Sequence, residues 1–311
     1  MRQSQPPVLV SGAHRSGSTW AGQIISQAPG VGYLHEPFNA NPMYPGVSDV
    51  TIRRWFLYLP PNQRTAYFDH FQALLQWRYR GRKRLANVRK PIQLQMWLKY
   101  AFLYRRNKGR RMCMKDPLAL FSAEWLVHHF GMMPVMMIRH PAAFAYSLKR
   151  KQWGLPYEDF LAQPALIDRF FKEEKALIVQ YRQEKRPILE QAALLWRLLY
   201  KVVRYYRESY PSWYFLTHEQ LSLAPMAQIQ RLFDHLGLEM TPRVTAFIAQ
   251  TTDASNPGQT QSDEELLRRD AKSNATYWQR KMSPSEIARV AEITRPVWPD
   301  FYTQASWGGM L

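Results

Sequence analysis

Short apolar runs alternate with longer amphipathic segments along most of the chain. The first run, VLV at residues 8–10, leads through the loop SGAHRSGS into a helical pattern from Thr19 to about Gln27. Four later runs have the length and composition of strands: 31–34, 111–114, 134–138 and 213–217. Amphipathic segments lie between or after them, at about 118–130, 141–152, 157–182, 188–208, 225–236, 241–249 and 284–296. The alternation predicts an α/β protein with three layers, α/β/α, around a mainly parallel central sheet.

Positive charge is concentrated in one segment. Residues 51–111 contain sixteen Lys or Arg and a single acidic residue, Asp69, so they hold +15 of the net charge of +18. Aromatic residues interleave with these cations, and the pattern predicts helices at about 51–59, 62–80 and 92–107. Such a segment suits nucleic acid, an acidic glycan or an anionic membrane surface. The alternative is that the aromatics form helix cores while the cations form a solvated face.

Composition excludes several classes of protein. Hydrophobic residues make up 46% and charged residues 21% of the 311 residues, which is typical of a folded globular chain. The single cysteine, Cys113, cannot form an intrachain disulfide and argues against a cysteine-based zinc site. No apolar run reaches the ~18–20 residues of a membrane span, and no secretory segment precedes Val8. We therefore expect a cytoplasmic chain that starts at Met1, with peripheral membrane contact as an alternative.

The segment from Ser11 to Trp20, SGAHRSGSTW, joins the first strand to the first helix. Backbone N–H groups of such a loop, together with the positive end of the helix, can bind a phosphate. A tight turn with a capping serine is the alternative interpretation. The residues that we expect to contact a phosphate are two glycines five positions apart, one cation and three hydroxyl side chains: Gly12, Arg15, Ser16, Gly17, Ser18 and Thr19.

This loop differs from the Walker A pattern GxxxxGK(S/T) at a decisive position. Ser18 stands where that pattern has lysine, and the cation of the loop is Arg15. The loop resembles the 5′-phosphosulfate loop, (P)(R/K)SGTTW, of sulfotransferases that use 3′-phosphoadenosine 5′-phosphosulfate (PAPS). His14 and Ser18 are mild departures from that pattern. The resemblance implies a P-loop-containing fold, PAPS as the sulfuryl donor with no required metal, and a Trp20 that contacts adenine or the core.

A second motif agrees with this resemblance. In that family an arginine at the end of a later strand and a serine eight positions on bind the 3′-phosphate of the donor. Residues 136–147 read MMIRHPAAFAYS, in which Arg139 follows a predicted strand and Ser147 lies eight residues later in a predicted helix. The planar guanidinium of arginine can donate two parallel hydrogen bonds to a phosphate. The resemblance therefore assigns Arg139 and Ser147 to the 3′-phosphate.

Three weaker matches agree with the tyrosylprotein and carbohydrate branches of the family. MCMKDPLALFS resembles the KDPFAL-type segment of the tyrosylprotein sulfotransferases, a resemblance that places Lys115 near the transferring group. FLTHEQL resembles RYEQL, with His218 where tyrosine is usual, and NATYWQRKM resembles a late SKW-type segment, with Thr276 in the serine position. On this alignment Thr276 and Lys272 are candidates for contact with the cofactor.

The reaction also needs a base for the acceptor hydroxyl. Glu36, in HEPF after the second predicted strand, matches a glutamate of the carbohydrate and tyrosylprotein branches and is our candidate. His35 is the rival, since its unperturbed pKa of ~6.5 suits a base at neutral pH. Neighbouring residues of a strand point to opposite faces, so we expect only one of the two side chains to reach the site. Arg15 and Lys115 are the candidates for stabilising the charge that develops on the leaving group.

We interpret residues 1–311 as a single sulfotransferase-like domain, in which a basic helical insert at about 50–110 is the candidate acceptor-binding region. The expected acceptor is a hydroxyl of a glycan, of an anionic peptide or of a lipid-linked molecule. Two other functions compete with this reading: a P-loop kinase of a small molecule and a non-catalytic nucleic-acid-binding protein. Acceptor identity and oligomeric state are open at this point.

Overall fold

The computed structural model describes residues 5–41, 50–78, 81–86, 88–253 and 275–309. Five parallel strands form one sheet in the order β2-β3-β1-β4-β5. Their bounds are β1 Val8–Gly12, β2 Val31–His35, β3 Arg111–Lys115, β4 Met133–Ile138 and β5 Tyr214–Thr217. All five lie where the apolar runs predict strands, and Lys272 lies outside the described residues.

Helices cover both faces of the sheet. All five residues of β1 are buried, with Leu9 in the core on one face and Val8 and Val10 in the core on the other. A strand with two buried faces needs a helical layer on each side. The predicted three-layer α/β/α fold is therefore confirmed.

The α-helices lie between and after these strands. They are α1 Ser18–Ile25, α2 Phe68–Leu75, α3 Arg82–Ala86, α4 Pro91–Asn107, α5 Ala123–Phe130, α6 Pro141–Lys151, α7 Tyr157–Leu161, α8 Pro164–Leu166, α9 Lys175–Glu184, α10 Ile188–Ser209, α11 His218–Leu223, α12 Pro225–Leu236, α13 Pro242–Thr252 and α14 Pro284–Thr294. Short 3₁₀ turns occur at Pro117–Ser122 and Tyr277–Arg280, and a π turn at Ile167–Phe171.

Helix prediction was wrong in part of the basic segment. Residues 51–59 form no helix, because their backbone donors find side-chain acceptors elsewhere: Tyr58 N donates to Gln163 Oε1 at 2.8 Å and Leu59 N to Ser122 Oγ at 3.1 Å. Of the helix predicted at 62–80, the described residues 62–78 form only α2, whereas the helix predicted at 92–107 is present as α4.

The aromatic residues of the basic segment serve mainly as core. Phe56, Phe71, Trp77, Tyr100 and Tyr104 are all buried. Most of the described cations around them are exposed. This agrees with the alternative in which the aromatics form a core and the cations a solvated face. None of the helices in the described ranges combines the length and the apolar character that a membrane span requires.

Candidate active site

Every strand delivers a predicted site residue at its carboxyl end. Parallel strands bring these ends to one edge of the sheet, where ligands of open α/β sheets bind. In the spatial order of the strands, the residues are His35 and Glu36 after β2, Lys115 on β3, the loop after β1, Arg139 after β4 and His218 after β5. Five segments distant in sequence therefore meet along one edge.

The loop between β1 and α1 has a conformation that depends on glycine. Gly17 precedes α1 with a φ of 87°, and a Cβ there would lie 2.8 Å from Cδ2 of His218. Arg15 also adopts a left-handed conformation, with a φ of 64°. The buried hydroxyl of Ser16 donates to the carbonyl of Ala13 inside the loop. His218 thus packs against the loop, and its bulk restricts position 17 to glycine.

The two predicted anion-binding motifs are in direct contact. The Arg139 guanidinium donates through Nη1 to the backbone carbonyl of Arg15. The Arg15 guanidinium donates in turn from Nε to Ser147 Oγ on α6, at 3.2 Å. Because β1 and β4 pair in parallel, with Gly12 opposite Met137, the loop and Arg139 leave adjacent strand ends. The loop, Arg139 and Ser147 consequently form one cationic cluster.

Helix α10 holds the backbone of Arg139. Its Tyr200 hydroxyl accepts from Arg139 N at 2.8 Å, and its Trp196 Nε1 donates to Arg139 O at 2.8 Å. Burial lowers the pKa of Arg139 to about 10, opposed by Glu219 and assisted by the neighbouring Arg15 charge. The guanidinium is still charged at neutral pH. Its Nε is buried and has no hydrogen-bond partner among the described residues.

Behind Arg139 lies a buried network that sequence reasoning missed. One Glu219 oxygen accepts from His140 N at 3.1 Å, and the other accepts from the Tyr302 hydroxyl at 2.9 Å. The His140 ring caps α6 and stacks on Trp278, with ring centroids 4.7 Å apart. Glu219 follows His218 in the segment HEQ. This position beside a predicted site residue was the only feature of the sequence that pointed to Glu219. The network ties the carboxyl-terminal segment to the strand end that carries Arg139.

Glu36 and Lys115 form an ion pair at the other end of this edge. The Lys115 ammonium, only 3% exposed, donates to Glu36 Oε1, and Asn39 Nδ2 donates to Glu36 Oε2 at 2.9 Å. Burial alone would raise the pKa of Glu36, but Lys115, His35 and these hydrogen bonds together lower it below its usual range. Glu36 is therefore ionised at neutral pH.

The expectation that His35 and Glu36 point apart is wrong. His35 is the last residue of β2, and Glu36 leaves the strand with a φ of 45°, which removes the strict alternation of side chains. His35 Nε2 consequently lies 3.7 Å from Glu36 Oε1, while Tyr33 holds His35 Nδ1 at 3.1 Å. Both candidate bases therefore reach the same place.

His14 links the loop to this ion pair. Its ring packs among Phe56, Phe144 and Trp153, with centroid distances of 5.8, 5.2 and 6.0 Å. Burial lowers the pKa of His14 to about 4. The Arg15 and Lys115 charges contribute to this lowering and the Glu36 charge opposes it, so the loop and the ion pair share one neighbourhood. Trp153 is 47% exposed and was not predicted as a site residue.

Some predicted site residues contact parts of the protein outside the loop. Trp20 Nε1 donates to Thr251 Oγ1 at 3.0 Å, and its ring packs against the core on the α1 side of the sheet. Ser18 is buried in the first turn of α1, next to the half-buried Thr19. Thr276 is exposed, and within the described residues no hydrogen bond joins its side chain to the loop. The structure therefore brings Ser18 and Thr19 to the edge, and the role of Thr276 stays a prediction.

The described residues contain no candidate metal site. Among them, no group of three or more His, Cys, Asp or Glu side chains is arranged to hold a metal ion. The nearby carboxyl of Asp116 instead accepts from Phe38 N at 2.6 Å and from Leu118 N at 3.0 Å. Burial raises the pKa of Asp116 to about 8. Asp116 thus orders the chain that follows Glu36 and the 3₁₀ turn that follows Lys115.

The sequence model of the sulfotransferase family matches residues 6–242, which include all five strands. The chain belongs to the sulfotransferase family. The family prediction from the loop and from Arg139 and Ser147 is confirmed, and so is the prediction of a transferase.

Known sulfotransferases resemble this one at low sequence identity. Human carbohydrate sulfotransferase 6 is 23% identical over 330 aligned residues, covering 92% of this chain and 78% of its own length. The solved sulfotransferase domain from the curacin biosynthetic pathway has a TM-score of 0.50 and 14% identity, with 93% and 98% of the two chains covered. The domain from the Synechococcus PCC 7002 olefin synthase has a TM-score of 0.47 and 14% identity, with 95% and 96% covered.

Proposed function

We propose that this sulfotransferase transfers the sulfuryl group of PAPS to a hydroxyl of a carbohydrate or another large, anionic acceptor. The observation that carries the proposal is the contact between the two anion-binding motifs: Arg139 binds the loop at Arg15, and Arg15 binds Ser147. One nucleotide with phosphates at two positions can span such a pair of sites.

The donor set of the site suits this nucleotide. The loop and the amino terminus of α1 supply backbone N–H groups and positive potential for the 5′-phosphosulfate. Arg139 and Ser147 supply a guanidinium and a hydroxyl for the 3′-phosphate. The buried Nε of Arg139, without a partner among the described residues, is a donor of the kind that a bound anion satisfies. Two adjacent guanidinium groups at a buried strand end also favour an anion electrostatically.

Catalysis requires charge stabilisation and removal of one proton. The acceptor oxygen forms a bond to sulfur while the bond from sulfur to the phosphate oxygen breaks, leaving 3′-phosphoadenosine 5′-phosphate (PAP). Arg15 and Lys115 stabilise the negative charge on the departing phosphate. Glu36 accepts the proton of the acceptor hydroxyl, and its ionised state and its position beside Lys115 support that role. His35, at 3.7 Å, is the alternative base.

The proposed acceptor rests on the surroundings of the site and on one relative. The name of the human relative says that it acts on carbohydrate. Trp153 exposes almost half of its surface beside His14, so its indole face is available to an acceptor ring. The basic segment supplies a positive field that favours an anionic acceptor. The chain would act in the cytoplasm, or at a membrane surface that faces it.

Ligand-induced stabilisation tests the donor. PAP and PAPS should raise the Tm of the protein without magnesium, whereas ATP, with or without magnesium, should leave it nearly unchanged. Incubation with radiolabelled PAPS and a mixture of glycans should then transfer label to a carbohydrate. Stabilisation by ATP and magnesium alone would favour a kinase and contradict the proposal.

A further inference from the structure

We propose that the outer face of α4 binds the surface of an anionic lipid bilayer. This outer face consists of Leu94, Leu98 and Phe102, which are spaced four residues apart and so lie on successive turns of one side of the helix. The proposal concerns a surface outside the candidate active site and does not depend on the identity of the donor.

The exposure of these side chains is concentrated rather than scattered. They are 41%, 53% and 66% exposed, although α4 already buries Tyr100 and Tyr104 on its opposite side. Of the nine large hydrophobic residues exposed in the described part of the chain, five lie between residues 85 and 102: the three of the outer face, Leu85 and Ile92. Isolated exposed leucines need no explanation, but a contiguous exposed patch marks a binding surface.

Cations border the apolar residues. Arg105 and Arg106 continue the same side of the helix after Phe102, and Lys99 flanks it. All three are exposed, and none forms an ion pair with a carboxylate of the described residues. An apolar stripe bordered by Lys and Arg lies at a bilayer interface with its aliphatic and aromatic groups among the acyl chains and its cations at the headgroups.

Charge and chemistry favour a lipid surface over the other occupants. A second copy of this chain meeting the outer face through a two-fold axis would bring two basic segments of +15 together, which is repulsive. A glycan would leave its hydroxyl groups against leucine and phenylalanine side chains without hydrogen-bond partners. An anionic bilayer satisfies both the apolar and the cationic groups.

Vesicle co-sedimentation of the full chain tests the proposal. The protein should bind vesicles of equal parts phosphatidylglycerol and phosphatidylcholine at least tenfold more strongly than phosphatidylcholine vesicles, and high salt should weaken that binding. Leu98→Gln combined with Phe102→Gln should reduce binding about tenfold or more. Leu223→Gln with Met226→Gln is the matched control, because these residues are 61% and 45% exposed elsewhere and should leave binding unchanged.

A second set of variants tests the cations. Lys99→Gln, Arg105→Gln and Arg106→Gln together should lower binding to the anionic vesicles about a hundredfold. Lys172→Gln, Lys175→Gln and Lys185→Gln remove the same number of exposed charges elsewhere and should have a much smaller effect. Circular dichroism and the Tm shift induced by PAP show whether each variant is folded, and that shift also keeps a failure here distinguishable from a failure of the proposed function.

Three results would overturn the proposal. One is the absence of binding to anionic vesicles by the folded protein. Another is equal binding to both kinds of vesicle or equal loss in the control variants. The third is a lower molar mass of the Leu98 and Phe102 variant in light scattering without lipid, because the outer face would then join two copies of the chain.

Discussion

The carboxyl edge of the sheet and the outer face of α4 both carry cations, but they hold them in opposite ways. At the edge, Arg139 and Lys115 are 7% and 3% exposed, and each is held by hydrogen bonds or an ion pair within the fold. On α4 the cations are exposed and lie beside exposed apolar side chains. Buried, oriented charge suits one small anion of defined shape, whereas exposed charge suits an extended surface that adapts to it.

This comparison predicts that the largest effect on turnover arises at the buried ion pair. Glu36→Gln should lower kcat by about a hundredfold to ten-thousandfold, because the amide cannot accept the hydroxyl proton. PAP affinity should change little, which isothermal titration calorimetry can measure. Glu208→Gln, at an exposed glutamate, is the control. If Glu36→Gln keeps the turnover of the wild type, Glu36 is not the base and His35 becomes the candidate.

Arg139→Ala should weaken PAP binding by about a hundredfold, the loss expected when a charged donor is removed from a buried phosphate. The loss should be much smaller for adenosine 5′-phosphate, which lacks the 3′-phosphate, so the discrimination between these nucleotides should collapse. Arg150→Ala removes an exposed arginine from α6, the helix that follows Arg139, and should preserve this discrimination. Unchanged discrimination in Arg139→Ala would contradict the assignment of this residue.

Acid should destabilise the protein through buried histidine at this edge. Burial, assisted by Arg139, lowers the pKa of His140 to about 3, whereas the unfolded chain has an ordinary value near 6.5. Between these values the unfolded state takes up the proton, so the free energy of unfolding falls as the pH drops through this window, by on the order of a few kcal/mol.

His140→Asn keeps a side-chain acceptor at the start of α6 but does not titrate. The variant should be less stable at pH 7, since it loses the stack on Trp278, and its stability should depend less on pH in this window. Denaturant titrations at a series of pH values measure both quantities. If the free energy of unfolding of His140→Asn depends on pH as steeply as that of the wild type, other groups cause the loss of stability in acid.

Variants at two glycines distinguish the effect of backbone strain from the effect of the contact with His218. Gly17→Ala and Gly30→Ala each place a side chain at positive φ, 87° and 73°, and each should cost about 1 kcal/mol of stability. Only the Cβ at position 17 meets a neighbour, His218, so only Gly17→Ala should also weaken PAP binding, by about tenfold. Equal PAP affinity in the two variants would mean that the loop tolerates displacement.

The smallest effect is expected on α4. Lys99→Gln, Arg105→Gln and Arg106→Gln should together change stability by less than about 0.5 kcal/mol per residue, because exposed charges without partners contribute little to folding. The Tm shift induced by PAP should be unchanged. A loss of that shift would show that the outer face and the donor site are coupled, and the distinction between the two regions would fail.

Much of the fold and the core of the site followed from local pattern. Short apolar runs identified all five strands, because a buried strand needs a run of apolar residues wherever it lies. The order of Arg15, Arg139 and Ser147 pointed to one edge, because parallel strands bring their ends together. Residues 51–59 could not be assigned correctly, since their backbone hydrogen bonds depend on Gln163 and Ser122, which are distant in sequence.

By itself, the sequence determined the family, the sheet and the residues that meet at its carboxyl edge, because strand periodicity and motif spacing are local properties. Only the tertiary structure decided that Glu36 pairs with Lys115 beside His35, that Glu219 and Tyr200 hold the chain at Arg139, and that α4 leaves Phe102 exposed. These are contacts and exposures between distant segments, and their energies depend on burial and distance, which no local pattern of residues encodes.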